Sequence, residues 1–222
     1  MLNINMNGSL QLDDKKFEEL FSYTTHRHLL ARPPKVAYMY FPSDKCIVEL
    51  NEKNPLNTLR RIFEGAVDYS PFEKEKIQSF LNHITESNNN SNLEEEKFKF
   101  PDFWIEANTL RCLQSYNYDF KITLNSIISF LAWSKEFLPV QPTNNICEIL
   151  NIGFIYSHGR DSRFRPILVI RVKDFKKNYE KYAFEDWLNS IIYLIEYIIN
   201  HILIKGQIEN WNLLCDCENA SI

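Results

Sequence analysis

Glycine is scarce in this chain, with five in 222 residues. So few leave little room for a glycine-rich phosphate cradle, and no Walker A loop, dinucleotide fingerprint, H-E-x-x-H or G-x-S-x-G stretch occurs. Sixteen phenylalanines beside those five glycines also argue against a loop-rich all-β protein. Cysteine is as sparse: Cys46, Cys112, Cys147, Cys215 and Cys217 are odd in number and scattered, with one C-x-C pair and no C-x-x-C. That spacing supports neither a disulfide framework nor a zinc site, and reads as small buried apolar residues in a reducing compartment. On a strand, Cys215 and Cys217 share a face.

Long hydrophobic runs are missing too. The nearest, "WLNSIIYLIEYIINHILIK" at 187–205, is interrupted by Asn189, Glu196, Asn200 and His201 and reads as a core helix rather than a membrane span. "MLNINMNGSL" has neither the basic nor the apolar region of a secretory leader, so the expected location is the cytoplasm. A net charge of −4 exerts no general pull on nucleic acid, which is not expected as a partner. Catalytic constellations are absent as well. His26 and His28 stand two apart, facing different ways on a helix, and His158 has no nucleophile in a supporting context. No metal site and no enzymatic activity are expected.

What is present is an ordinary globular composition, 45% hydrophobic and 24% charged. Polar residues 1–12 precede a short helix in "LDDKKFEELFSYTTHRHLL", with Asp13 and Asp14 as cap candidates. "RPPKVAYMYFPSDKCIVEL" is broken by proline, and a helix is expected from Pro55 to Gly65. Ser70, Pro71 and Glu73 form a capping-box pattern ahead of an apolar stripe of Ile77, Phe80, Leu81 and Ile84. "SNNNSNLEEEK" reads as a flexible loop. Two further helices meet at an Asn117–Asp119 turn, and Pro139 and Pro142 close this helical portion near residue 143.

The remainder differs in kind. "ICEILNIGFIY" is apolar and "SHGRDSRFR" is a charged loop. "PILVIRV" has the unbroken β-branched character of a strand covered on both faces. A long helix at 183–205, ended by Gly206, leads to the strand "NWNLLCDC". Strand, helix and strand make a crossover with parallel strands. The expected organisation is a helical or irregular extension over 1–69, a helical region over 70–143, and an α/β portion from 144 to 222. The cluster Arg160, Arg163 and Arg165, partly offset by Asp161, is either a solvated loop with local ion pairs or a contact for an anionic headgroup or membrane surface.

Two stretches resemble a known family. "NTLRCLQSYNYDFKITLNSIISFLAWSKEF", through Leu110, Arg111, Leu113, Tyr118 in place of Phe, Asp119 and Trp133, is similar to the helical motif of the CRAL-TRIO family of Sec-fourteen-type phospholipid transfer proteins and of retinaldehyde- and tocopherol-binding proteins. "GRDSRFRPILVIRVKDF" resembles that family's strand entry through Asp161, Arg165 and Pro166, and Glu196 and Asp216 match its long helix and next strand end. The series runs in order over 70–222. Gln114 and Tyr116 replace two arginines, Phe164 replaces a glycine, and Asn219 stands where another glycine is usual.

The resemblance implies an α/β fold with an all-helical N-terminal part and a mixed or parallel sheet flanked by helices. It also implies non-covalent binding, and transfer between membranes, of a phosphatidylinositol, phosphatidylcholine or other small lipid. No cofactor is implied beyond such a bound lipid. Leu168, Ile170, Leu213 and Cys215 are the candidate lining residues. Arg160, Arg163 and Arg165 are the candidate headgroup or membrane contacts, on a protein in transient contact with membranes. The alternative is a protein-interaction or regulatory domain that keeps the fold without a working cavity. A full family domain is longer, so the expectation is either a longer natural protein or a homodimer that covers the strand at 209–217.

Overall fold

A computed structural model of the chain describes residues 32–65, 68–90 and 97–218. The helix expected near residues 13–30, with His26 and His28, lies outside the described residues. So do Asn219 and most of the loop read in "SNNNSNLEEEK". The chain forms two compact units, one holding described residues of 42–138 and the other 32–41 with 139–218. The stretch expected as a single N-terminal extension is thus shared between them.

In the first unit a two-residue pair, β1 (Val48–Glu49) and β2 (Leu59–Arg60), runs antiparallel ahead of three helices, α1 (Pro71–Asn90), α2 (Glu106–Ser115) and α3 (Phe120–Phe137). The helix expected from Pro55 does not form: one 3-10 turn, Pro55–Asn57, passes into β2. Side chains distant in sequence decide this. The Arg60 backbone N–H donates to Gln114 Oε1 at 2.7 Å, and Gln114 Nε2 donates to the Arg60 carbonyl at 3.0 Å, so a glutamine supplies what a neighbouring strand would. The Arg60 side chain reaches inward to Glu73, with Nε 2.7 Å from Oε1 and Nη2 2.8 Å from Oε2.

The capping box is present at the start of α1. Ser70 N–H donates to Glu73 Oε2 at 2.7 Å, and the Glu73 N–H donates to Ser70 Oγ at 3.3 Å. Ile77, Phe80 and Ile84 are buried against Leu110, Leu113 and Ile127 of the other helices. Leu81 departs from the expected stripe and is exposed. Helix α1 continues to Asn90, four residues into the stretch read as a loop. The α2–α3 turn forms where expected, with Asn117 and Tyr118 at φ of 51° and 61°. Asp119 then caps α3 by accepting from Ile122 N–H at 2.9 Å. Asp119→Ala should lower stability by about 1 kcal/mol in a urea titration, the usual cost of an N-cap.

In the second unit "ICEIL" is helical, because Thr143 caps α4 (Asn144–Asn151) and Gly153, at φ 77°, ends it. Strand β3 (Ile155–Arg160) then takes up half of the expected charged loop, with a register shift between Ser157 and Arg160 at Gly159. It pairs antiparallel with β4 (Pro166–Arg171), and β4 pairs parallel with β5 (Asn212–Asp216). The parallel pairing is as expected; the connection carries an additional short helix, α5 (Val172–Asn178), before α6 (Phe184–Tyr197). The long helix widens into a π-turn at Ile198–Ile202 and stops there, three residues short of Lys205. The result is an α/β arrangement: a three-stranded mixed sheet with a helical layer on one face.

Candidate functional site

Helix α6 is apolar nearly all round because it sits inside a core. Trp187, Leu194, Ile198 and Ile202 are buried with Ile155 and Leu168 of the sheet. Phe154 and Phe175 stand edge-on to Trp187, with ring centroids 4.8 and 4.9 Å away. The parallel register places Leu168 beside Leu213 and Ile170 beside Cys215, so these four residues share the face of the sheet that α6 covers.

Burial falls steeply along that face. Leu168 is 3% exposed and packed into the core, and Ile170 lies against it, whereas Leu213 is 60% exposed and Cys215 is also open. The expected lining set therefore splits into an inner pair that builds the core and an outer pair free to meet another molecule. Leu214, on the opposite face, is 58% exposed and was not among the expected lining residues. Among the described residues β5 has no strand beyond it, so its free edge and both its faces carry accessible apolar surface.

The three arginines also part company. Arg160 is turned inward: Nη1 donates to the Phe164 carbonyl at 2.7 Å and Nη2 to the Ile202 carbonyl at 2.9 Å, closing the end of the π-turn. Burial lowers its pKa from the ordinary value. Arg165 grips Asp161, with Nε 2.8 Å and Nη2 2.7 Å from Oδ2. Asp161 also accepts from the backbone N–H of Arg163 and Arg165 and from Asn212 Nδ2 at 3.0 Å, which ties the turn to β5. Burial raises the Asp161 carboxyl, and these donors, Arg165 foremost, outweigh it and hold the pKa below the usual carboxylate value. Of the three arginines, Arg163 alone is exposed.

Phe164, standing where the resemblance expects glycine, has φ 57°, the left-handed backbone that explains a preference for glycine. Its ring meets Tyr40 edge-on at 5.7 Å, which offsets some of the strain. Beside it the segment around Lys35–Met39 presents Val36, Tyr38, Met39 and Phe41, all more than half exposed. Gln207 Nε2 donates to the Tyr38 carbonyl at 3.2 Å and ties this segment to the turn after α6. Sequence reasoning passed over these residues, although aromatic and aliphatic side chains between prolines were visible there.

Glu196, half-buried on α6, accepts from Val140 N–H at 3.0 Å and so fixes the stretch entering α4. Burial raises its pKa despite that bond. A carboxyl with a raised folded pKa favours the folded state when protonated, and this advantage fades as pH rises through the folded value. Glu196→Gln should therefore raise the melting temperature at pH 8 and make no difference well below the ordinary carboxylate pKa. A thermal melt at both pH values checks this.

The cysteines diverge from the buried reading. Cys147 is buried and Cys46 and Cys112 are partly covered, but Cys215 and Cys217 are exposed, with their sulfurs 3.6 Å apart. No helix among the described residues is long and apolar enough to cross a membrane. No curated protein matches the chain. The family model of the CRAL/TRIO domain matches residues 150–222, from the end of α4 through β5, the second of the two stretches whose resemblance was read in the sequence. Residues 150–222 of this chain are therefore similar to the CRAL/TRIO domain, a family that binds lipids and other small hydrophobic molecules.

Proposed function

We propose that the chain binds one lipid without covalent chemistry, against the sheet face that runs from Leu168 and Ile170 out to Leu213 and Cys215, and carries it between membranes. The observation supporting this reading is the burial gradient: a packed core continues without a polar break into open apolar side chains on β5. An acyl chain laid there gains about 0.8 kcal/mol for each methylene removed from water, enough for affinity with no reactive group. Fluorescent phospholipid moved from donor to acceptor vesicles tests it. Transfer by the native chain and its loss in Leu213→Glu are expected; undiminished transfer by Leu213→Glu would refute this placement.

Arg163 and the exposed residues Val36, Tyr38, Met39 and Phe41 fit the membrane contact that transfer requires, Arg163 being next in sequence to Phe164, whose ring meets Tyr40 of that segment. Arg160 and Arg165 support the turn instead. Each unit of charge near an anionic leaflet contributes about 1 kcal/mol, so Arg163→Glu should weaken sedimentation with phosphatidylserine vesicles by roughly ten-fold or more. Binding to neutral vesicles should change little.

A second reading has its own support in the free edge of β5, which offers backbone groups for pairing with another copy of the chain. Light scattering that shows a dimer broken by a charge at Leu214 would favour it.

A further inference from the structure

Two thiols lie at the end of β5, Cys215 on the proposed lipid face and Cys217 just beyond the strand. Cys215 and Cys217 are both exposed, stand on the same side of an extended segment, and share a sulfur–sulfur hydrogen bond at 3.6 Å. The nearby carboxylates are engaged elsewhere. Asp216 Oδ1 accepts from Glu218 N–H at 3.0 Å, and Glu218 pairs with Lys173 at 3.5 Å. The site therefore offers two soft donors beside carboxylates that already hold partners of their own.

We propose that Cys215 and Cys217 form a two-thiolate site for a soft, thiophilic metal ion, with copper(I) the form that needs no further protein ligand. The separation suits an ion better than a disulfide. Two sulfurs each about 2.3 Å from a shared metal lie about 3.8 Å apart at a tetrahedral angle and about 4.6 Å apart at the linear angle of two-coordinate copper(I), so the pair seen at 3.6 Å opens by about 1 Å to take that ion, through side-chain rotation at two exposed positions. A disulfide requires the sulfurs to close to about 2.05 Å, while residues two apart on a strand have Cα atoms roughly 6.6 Å apart, near the upper limit for that bond. Soft thiolate donors select copper(I) over magnesium or calcium. On binding, each thiol releases its proton to solvent as a sulfur–copper bond forms, and no electron is transferred.

The remaining cysteines offer no such pair. Cys147 is buried, Cys112 is partly covered, and Cys46 accepts from Ser43 Oγ at 3.2 Å. The site shares Cys215 with the proposed lipid face, but holding the ion requires no bound lipid.

The test uses the whole chain, reduced and under nitrogen, titrated with copper(I) as its coloured bicinchoninate complex. Uptake of one copper per chain by the native protein is expected, with uptake abolished in Cys215→Ser and in Cys217→Ser and retained in Cys112→Ser. No uptake by the native chain, or uptake undiminished in either β5 variant, would overturn the proposal. As a second readout, phenylarsine oxide should add once across both sulfurs, its oxygen leaving as water with the two thiol protons, and protect both from maleimide. Maleimide labelling of Cys215 and Cys217 after that treatment would also overturn it. Circular dichroism of the serine variants, both at exposed positions, should match the native spectrum.

Discussion

Glu73→Ala should destabilise the helical unit by about 3–5 kcal/mol, the cost of leaving a buried charge without its partner. Glu73 is fully buried, Arg60 is 2% exposed, and the two meet through two hydrogen bonds under 3 Å. Arg60 also donates to the carbonyls of Ile62 and Asp68, so the pair fastens the segment before α1 as well as the start of that helix. Removing the carboxylate strands a guanidinium that the surrounding carbonyls do not neutralise. Arg60→Met with Glu73→Leu should recover much of the loss, since an apolar pair of similar volume removes both desolvation costs. The pH dependence has a definite sign. Burial raises the Glu73 carboxyl, but bonds from Arg60 and Ser70 outweigh it and leave the folded pKa below the ordinary 4.5. The contribution is thus complete above pH 4.5 and disappears as pH falls through the folded value. Urea titrations of wild type and variants between pH 3 and 7 would reveal both effects; a Glu73→Ala loss below about 1 kcal/mol would show that the pair contributes little.

Trp187→Ala should cost the α/β unit about 3–5 kcal/mol, the range for deleting a large aromatic from a packed core. Trp187 is 1% exposed, lies against Phe154 and Phe175, and donates from Nε1 to the Tyr179 carbonyl at 3.2 Å. These contacts join α5, α6 and the entry to β3, so the cavity left by alanine would adjoin three elements. Trp187→Phe should cost less because most of the ring volume remains, though the Tyr179 carbonyl loses its donor. The drop in urea midpoint for alanine should clearly exceed that for phenylalanine; equal drops would place the effect in the hydrogen bond rather than in packing.

Much of this fold was legible because local rules and tertiary contacts agreed. The Ser70–Glu73 box and the Asn117–Asp119 turn follow from residue types a few positions apart, and the parallel β4–β5 pair from the order strand, helix, strand. The segment after Pro55 was misread because its backbone is satisfied by Gln114, 54 residues away, a contact that no window of sequence contains. "ICEIL" and "VKDFKK" are short, and runs of that length do not separate helix from strand by periodicity. At the candidate site, strand alternation correctly put Leu168, Ile170, Leu213 and Cys215 on one face, because the side-chain period of a strand is fixed. Which of them are covered depends on where α6 lies, and alternation carries no information about that. The arginine cluster shows the same divide: charge counting found it, but only coordinates show Arg160 and Arg165 spent on carbonyls and Asp161, leaving Arg163 outward.

The most direct test of the account is organic extraction of the purified chain followed by mass spectrometry of the extract, with quenching of Trp211 by bromine-labelled phosphatidylcholine as a check on location. Trp211 borders β5 and packs partly buried against the core. The account predicts a co-purified lipid in near-stoichiometric amount and strong quenching that Leu213→Glu removes. Absence of any extracted lipid, together with tryptophan emission indifferent to the brominated chains, would contradict it.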